Sequence, residues 1–542
     1  MTGTSVNTAQ DGQANGALAP FASRNFMVLW IATVMSNVGT WMHDVSAGWL
    51  MTSLSPSPLF VALVQTATTL PIFLFALPAG ALADIVNKRK VLVGVQLVMA
   101  GTALTLGYVV YHGNATPTLL LLFTFMLGIG TAFAAPAWQA IVPGLVPRNT
   151  LQQAVAINSV GINISRAIGP ALGGFIIGYS IALPFLINGL SFLLVVCALL
   201  WWRPSAAPPR LLPAENLFGA LKAGVRYTLH SDPLKATLAR ALSFFLFASA
   251  YWALLPLIAR NLLNGDAALY GLMMAAVGVG AVSSAFILPQ LKKRFGADTL
   301  VAIGSVGTAL CMLALASAYS QVLAIVSCFF AGACWIAVLT SLNVSAQVAL
   351  PEWVRARGLA VFITVMFGSM SLGSLFWGQL SSVFGISNAL FCAAAALVLI
   401  IPLTWRFKLQ MGASMDLSPS MHWPQPIVEV DIEQDRGPVM ITLEYFVNSD
   451  DKQAFYLAAT RLKAQRYRDG AYTWGLFEDT AKPGRYIEYF MVESWLEHLR
   501  QHERVTHADA DVQDIVLSYH QGPKPVVEHY IAASHAKHEG KK

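Results

Sequence analysis

Charge is what this 542-residue chain has least of: Asp, Glu, Lys and Arg together make up 11% of it, against 56% hydrophobic residues and a mean hydropathy of +0.58. Soluble domains are about one quarter charged, so most of this chain is not built for water. Cysteine is sparse as well. Cys197, Cys311, Cys328, Cys334 and Cys392 are odd in number and lack metal-ligand spacing, which argues against a disulfide framework or a zinc site and leaves small side chains within apolar runs. No glycine-rich phosphate loop occurs, so direct drive by ATP is not expected. The first 20 residues have neither a basic start nor an apolar core and read as a polar tail (1–23), not a signal peptide.

Long apolar runs are abundant. A bilayer-spanning helix needs roughly 20 mostly apolar residues. Twelve such stretches are found near 25–52, 58–83, 90–111, 117–139, 153–179, 181–202, 237–259, 268–290, 298–318, 321–346, 357–384 and 386–407. Lys and Arg gather in loops on one side of this arrangement, among them Arg24, Lys88, Arg89, Lys90, Arg148, Arg203, Lys292, Lys293, Arg294, Arg355, Arg357, Arg406 and Lys408, while Arg260 alone falls on the other. Basic loops stay in the cytoplasm, so both termini are expected there, in a multi-pass protein of the bacterial plasma (inner) membrane. The net charge of +6 is then met by anionic lipid heads and calls for no nucleic acid.

The spans repeat. "SRAIGPALGGFI", 165–176, aligns with "SMSLGSLFWGQL", 369–380, so that Ser165, Gly169 and Gly174 match Ser369, Gly373 and Gly378 at a constant offset of 204. A feature of the fifth span thus returns in the eleventh, the sign of two six-helix halves. Likewise "GALADIVNKRK", 80–90, ends the second span and "PQLKKRFGADT", 289–299, ends the eighth. In the first copy Asp84 can pair with a basic group or a helix N-terminus, and Lys88, Arg89 and Lys90 are expected to meet lipid heads.

These motifs carry a resemblance. G-x-L-A-D before a basic cluster resembles the loop signature of the major facilitator superfamily, and Gly169, Pro170, Gly173 and Gly174 resemble the fifth-helix motif of its proton-coupled exporters. "GTWMHDVSAGWLMTSLSPSP" and "AVAINSVGINISRAIGPALGG" are most similar to the transmembrane secretion effector family, to which the enterobactin exporters are related, with the likeness covering about 22–408. The resemblance implies a secondary transporter with alternating access, export of a small molecule (siderophore, drug or other metabolite), protons as coupling ion and no cofactor. Two departures stand out: Ile85 and Asn87 replace the signature's usual residues, and no Lys or Arg occurs between Tyr111 and Pro147, so coupling through a fourth-helix arginine cannot be carried over.

Candidate transport residues follow from cost. Arg166 lies about 20 Å along its span, near mid-membrane, where an unpaired charge costs roughly 2.5 kcal/mol or more. It reads either as a substrate or gating residue or as half of a structural ion pair, with Asp44 the best acidic candidate. Asn37, Trp41 and Asp44 share a face of the first span, and His43 beside them titrates near neutral pH when unperturbed. For Asp44 the alternatives are a proton relay and an interfacial carboxylate. Asn158 adds a polar group suited to a cavity or to an interhelical hydrogen bond. The small residues around Pro170 permit close helix approach and a bend, as a hinge or as packing alone.

After Lys408 the composition turns ordinary. The expected organisation is a bundle at 24–202, an inter-bundle loop at 203–236, a second bundle at 237–408, a linker at 409–426 and a cytoplasmic domain at 427–542. In that domain "VMITLEYFV", "YTWGLFED", "RYIEYFMVE" and "VVEHYIA" alternate as strands around a helix at 450–468 and another at about 495–519, a βαββαβ ferredoxin-like order. Its strings resemble dimeric α+β barrels of the antibiotic biosynthesis monooxygenase type, which implies self-pairing through the sheet face of Tyr472, Trp474, Leu476, Tyr486, Phe490 and Val492. His498 and His502 have a metal-gripping spacing, but a solvated helix face is the expected reading and no enzyme activity is expected. The overall expectation is an all-α membrane transporter of two six-helix repeats with an appended α+β domain; a membrane-tethered enzyme or sensor is the alternative.

Overall fold

In lipid every backbone polar group must find its partner within the chain, and helices achieve this residue by residue. The computed structural model describes residues 18–203, 217–410, 416–420, 422–423, 433 and 435–533; most of the polar tail and much of the linker lie outside the described residues. Two units result, one of residues 1–214, 238–343 and 362–408, the other of 215–237, 344–361 and 409–542.

The first unit is formed by α1 (Arg24–Leu54), α2 (Pro58–Ile85), α3 (Lys88–Tyr111), α4 (Pro117–Ile141), α5 (Leu151–Ile177) and α6 (Leu183–Trp201), and by most of α8 to α13 below. Prolines open α2 and α4 where an N–H has no helical partner to lose, while Thr116 and Asn87 accept hydrogen bonds from Leu119 N and Lys90 N to start α4 and α3. A short α7 (Leu217–His230) follows, then α8 (Asp232–Leu257), α9 (Ala267–Arg294), α10 (Ala297–Ala316), α11 (Gln321–Val348), α12 (Arg355–Phe384) and α13 (Ile386–Thr404). Among the described residues eleven helices are long and apolar enough to cross a membrane. The twelfth expected span, α1, has the length at 31 residues but carries Asn37, His43 and Asp44 in its middle. Cys311 and Cys328 are buried as expected, whereas Cys197 and Cys392 are exposed on the outside of the helices.

The repeat is visible in what the offset glycines touch. A Cβ on Gly169 would sit 2.6 Å from Trp41 Cβ of α1, and one on Gly373 would collide with the Leu246 carbonyl of α8, the corresponding helix of the second bundle. Further along, Gly174 would meet Gly271 Cα of α9 at 2.8 Å, and Gly378 would collide with Ala62 Cβ of α2. Each fifth-type helix therefore crosses the first helix of its own half and the second helix of the other half. That is the symmetry of two repeated bundles.

The second unit is a four-stranded antiparallel sheet with helices on one face. β1 (Val439–Phe446), β2 (Thr473–Glu478), β3 (Arg485–Val492) and β4 (Val527–Ile531) lie in the order β2-β3-β1-β4, covered by α14 (Lys452–Asp469), α15 (Trp495–Arg504) and α16 (His507–Leu517). The second expected helix is two. Val505 and Thr506 interrupt it, because Thr506 and Asp509 form a reciprocal capping box that starts α16 anew. The expected outer face is also reversed. Tyr486 packs with Phe455, Leu462 and Val516 from the helices, and Phe490 and Val492 pack with Trp474 and Trp495, so these residues form the core. The outward residues are their alternates Ile487, Tyr489 and Met491, with Phe477 stacked on Tyr489 at 5.5 Å. Both faces alternate apolar, and the buried stripe of Phe455, Ala458, Ala459 and Leu462 on α14 decides which is covered. Glu488 can point inward only because Arg466 Nε, Tyr445 Oη and Trp474 Nε1 donate to it at 3.0, 2.9 and 3.0 Å.

Within this unit α7 is fastened to the sheet domain by charge. Arg226 donates to Glu497 at 3.0 Å, Arg504 donates to the same carboxylate at 2.6 Å, and Lys222 pairs with Glu493. Tyr227 of α7 donates to the Ala349 carbonyl at 3.0 Å, and the Arg504 guanidinium lies 4.5 Å from the ring of Trp353. Flanking arginines hold the Glu497 carboxyl below the ordinary range in spite of its burial. The segment expected to be a plain inter-bundle loop thus contains a helix that the sheet domain uses.

Burial lowers His498 to about 3 and His502 to about 4, with neighbouring His529 adding to both. A base whose folded value lies below its unfolded value contributes stability that is full above the unfolded pKa and lost as pH falls through it. Acidification from pH 7.5 to 5 is therefore expected to cost this unit about 2 kcal/mol from His498 alone. Hydrogen exchange of β1 and β3 across that range measures it, with His498→Asn expected to flatten the dependence.

Candidate transport site

A cavity of about 650 Å³ lies in the first bundle. Its walls are Trp30, Thr33, Asn37 and Thr40 of α1, Gln96 of α3, Thr131, Trp138 and Gln139 of α4, and Asn158, Ser159 and Ile162 of α5. Every helix contributes the half nearer the basic loops. The lining sets these polar and aromatic groups among a larger apolar share, including Val34, Leu92, Met99 and Val155, and carries no charged side chain. Of the residues singled out by sequence, Asn37 and Asn158 face this space; Gln96, Gln139, Thr131 and the two tryptophans were missed, although polar residues within apolar runs were the available signal.

A smaller space of about 110 Å³ holds His43 and Asp44 with Thr68, Thr124 and Asn188. Thr40, Met99, Thr131 and Phe192 line both cavities, so the two are neighbours through shared walls. His43 is 2% exposed, and neither of its ring nitrogens has a hydrogen-bond partner among the described residues. Its ring packs edge-on against Phe185 at 4.8 Å.

Arg166 lies one helical turn past Ile162 on the stripe of α5 that lines the large cavity. The expected ion pair with Asp44 is not formed: among the described residues Arg166 has no ion pair and its Nε no hydrogen-bond partner. Its guanidinium instead lies 5.6 Å from the ring centre of Trp41, one turn past Asn37 on α1. Asp44 lies three residues further along α1 than Trp41, so sharing a face of the helix did not bring it level with Arg166.

The basic turn is also used differently from the expectation. Lys88 donates to the Ala140 carbonyl at 3.3 Å, and Arg89 donates to the carbonyls of Leu199 and Leu200, both at 2.7 Å. Both side chains thus close the C-terminal ends of α4 and α6, where carbonyls are unpaired and the helix dipole is negative. Lys90 remains exposed. Asp84 lies in the last turn of α2, and its side chain is outside the described residues.

At the end away from the basic loops the bundles touch. Gly174 and Gly271 bring α5 and α9 into backbone contact, and Gly278 lies so close to Arg166 O that a Cβ would approach it to 2.5 Å. Arg260, the basic residue of that side, donates to Thr52 Oγ1 at 2.8 Å and Ser53 Oγ at 2.6 Å and lies over the ring of Trp49. Pro170 continues α5 without ending it, and Gly173 sits against the backbone of Met42.

A family model for transmembrane secretion effectors matches residues 15–537. The chain belongs to that family. Relatives include a staphyloferrin A transporter of Staphylococcus aureus (strain NCTC 8325 / PS 47), 24% identical over 64% of this chain and 87% of its own. An enterobactin exporter, EntS, of Salmonella typhi is 29% identical over 52% of this chain and 68% of its own. Among solved structures, a mutant of the nucleoside transporter NupG superposes with a TM-score of 0.59 at 12% identity over 71% of this chain and 99% of that one. The inward-open xylose transporter XylE from E. coli gives 0.55 at 13% over 71% and 98%. The protein is thus a multi-pass inner-membrane secondary transporter of the major facilitator fold, and its function is export of a small molecule.

The Gly174–Gly271 crossing has no room for a side chain. Gly174→Val is expected to cost roughly 1–3 kcal/mol by forcing α5 and α9 apart. A drop of several degrees in the melting temperature of the purified transporter checks it, with Gly144→Val, where a Cβ meets nothing within 4 Å, as the control.

Proposed function

We propose that this transporter exports a small anionic molecule by alternating access, in exchange for protons, with its basic loops and both termini in the cytoplasm. The observation that carries this is Arg166: a permanent charge within the spans, without an ion pair among the described residues, one helical turn beyond Ile162 of α5, the last residue of that helix to line a cavity of uncharged groups. An unpaired arginine in lipid is costly unless a ligand or water compensates it, and an anionic substrate is that ligand. By the distribution of Lys and Arg the cavity is on the cytoplasmic side, and the contacts of α5 with α9 and of Arg260 with Thr52 and Ser53 close the far side, as suits a state that loads from within. That relatives are named for staphyloferrin A and enterobactin supports a small-molecule cargo and supplies two to try.

Asp44 is the proposed proton carrier. It sits in the small space beside the large one, joined to it by Thr40 and Thr131, so a proton taken there and a substrate held at Arg166 compete for the same bundle arrangement. The turn at Asp84, with Lys88 and Arg89 fixing the ends of α4 and α6, would move as one piece when the cytoplasmic side closes. Gly169, Pro170, Gly173 and Gly174 serve as the hinge face.

Inverted vesicles energised by a pH gradient test both residues. With enterobactin and staphyloferrin A as trial cargoes, Arg166→Gln is expected to reduce uptake at least about ten-fold and Arg166→Lys less, since it keeps the charge and loses the planar fork. Full uptake by Arg166→Gln would overturn the anionic reading. Asp44→Asn is expected to abolish gradient-driven uptake while leaving substrate exchange across equilibrated vesicles; equal loss of both would assign Asp44 to structure instead.

The sheet domain is proposed to serve transport and not chemistry, and to pair with a second copy through Ile487, Tyr489, Met491 and Phe477. Phe477 is 59% exposed and Tyr530 of β4 on the same face 47%, an apolar surface that a second sheet would cover. Light scattering of the full chain in detergent is expected to give a dimer that Tyr489→Glu converts to monomer. A wild-type monomer at tens of micromolar would leave the C-terminal segment or the cytoplasmic loops as the cover.

A further inference from the structure

Asp44 lines the smaller cavity of the first bundle, and among the described residues its carboxylate has neither a hydrogen-bond donor nor an ion pair. A carboxylate within the spans is costly unless a positive charge meets it. The rest of the wall indicates which charge. Four threonines line the same space of about 110 Å³: Thr40 of α1, Thr68 of α2, and Thr124 and Thr131 of α4. Each donates its hydroxyl hydrogen to the carbonyl four residues back on its own helix, Thr40 to Ser36 at 3.0 Å, Thr68 to Val64 at 3.1 Å, Thr124 to Leu120 at 2.8 Å and Thr131 to Leu127 at 3.1 Å. A hydroxyl whose hydrogen is spent has only lone pairs to offer. Asn188 of α6 adds an amide oxygen, 3.5 Å from Thr40 Oγ1.

Lone pairs around one carboxylate select a cation. Oxygen ligands suit hard ions and not the soft transition metals, and among the described residues no three His, Cys, Asp or Glu side chains converge to hold such a metal. His43 bounds the space too, but a buried imidazole without an acceptor at either nitrogen is the neutral form, so the charge to be balanced is that of Asp44 alone. One carboxylate balances one positive charge, and a divalent ion would leave a net charge within the spans. A carboxylate among hydroxyls is a strong-field set, which favours the smaller of the common monovalent ions.

We propose that this space is a binding site for Na⁺, held by the Asp44 carboxylate and the threonine oxygens of α1, α2 and α4. The site rests on the reading of Asp44 as the ion carrier and widens the ion: Na⁺ and a proton each neutralise the carboxylate, and one excludes the other. Because Na⁺ draws oxygens of three helices toward one point, its binding favours the arrangement in which those helices are close. Thr40 and Thr131 also line the large cavity, so the bound ion is felt in the wall that faces the cargo.

Titration calorimetry of NaCl into the purified full chain, in choline chloride at constant ionic strength, tests the site. Saturable Na⁺ binding is expected, with K⁺ at least about ten-fold weaker, and Asp44→Asn is expected to abolish it. Thr124→Val and Thr68→Val each remove one oxygen at nearly the same volume and are expected to weaken Na⁺ roughly ten- to a hundred-fold, as for loss of a contact to a charged group. Melting temperatures within a few degrees of wild type keep these outcomes free of unfolding. Wild-type affinity in both threonine variants would overturn the cradle, and equal affinity for Na⁺ and K⁺ would overturn the selection of Na⁺. Uptake of enterobactin by sodium-free inverted vesicles under a pH gradient separates the site from the reading beneath it. No Na⁺ binding by the wild type, with that uptake intact and lost in Asp44→Asn, would overturn the Na⁺ site and leave Asp44 as a proton carrier. No Na⁺ binding, with uptake undiminished in Asp44→Asn, would overturn both.

Discussion

Close contact of helix backbones across the two bundles is the constraint from which the transport architecture follows. In lipid there is no hydrophobic gain from pressing one helix on another, so association depends on how near the backbones can come. Gly174 and Gly271 remove the side chains that would keep α5 from α9, and Gly378 does the same for α12 against Ala62 of α2. These crossings sit in the half away from the basic loops. The opposite half is thereby left with space, and the uncharged cavity occupies it.

Charge is scarce enough that each buried ionic group has an identifiable task. Lys88 and Arg89 close helix ends, and Arg260 ties the outer ends of α1 and α8. In the soluble unit Glu488 is satisfied by three donors, and Glu497 gathers Arg226 and Arg504. Arg166 is the contrast. It has an aromatic ring for company and no counter-charge among the described residues, which is the arrangement expected of a group whose partner comes and goes.

The sheet domain shows how a small unit gains from a neighbouring segment. Its core is split between a cluster around Phe455 and Tyr486 and another around Phe490 and Trp495, with the Arg466–Glu488 pair within the same layer. A buried pair of this kind adds little net stability, but it fixes which face of β3 turns inward. Helix α7 then adds an ion pair to α15 and another to Glu493 just before it, so a segment between the bundles is part of the domain's structure.

Composition alone determined the lipid environment, because an 11% charged chain with repeated apolar runs has no other stable setting. The offset of 204 determined the repeat, since the same helix crossing demands the same small residues in each half. Strand alternation set the order of the sheet domain for the same local reason. What only the tertiary structure decided were relations between distant segments. Period-two alternation yields two apolar faces and cannot say which one α14 will cover, so Tyr486 and Phe490 went to the core and Ile487 and Tyr489 outward. A shared helix face cannot say which of its residues comes level with another helix once the two have packed, so Arg166 met Trp41 and not Asp44. Gln96 and Gln139 took their meaning from helices far away in sequence, because a cavity wall exists only once those helices have packed.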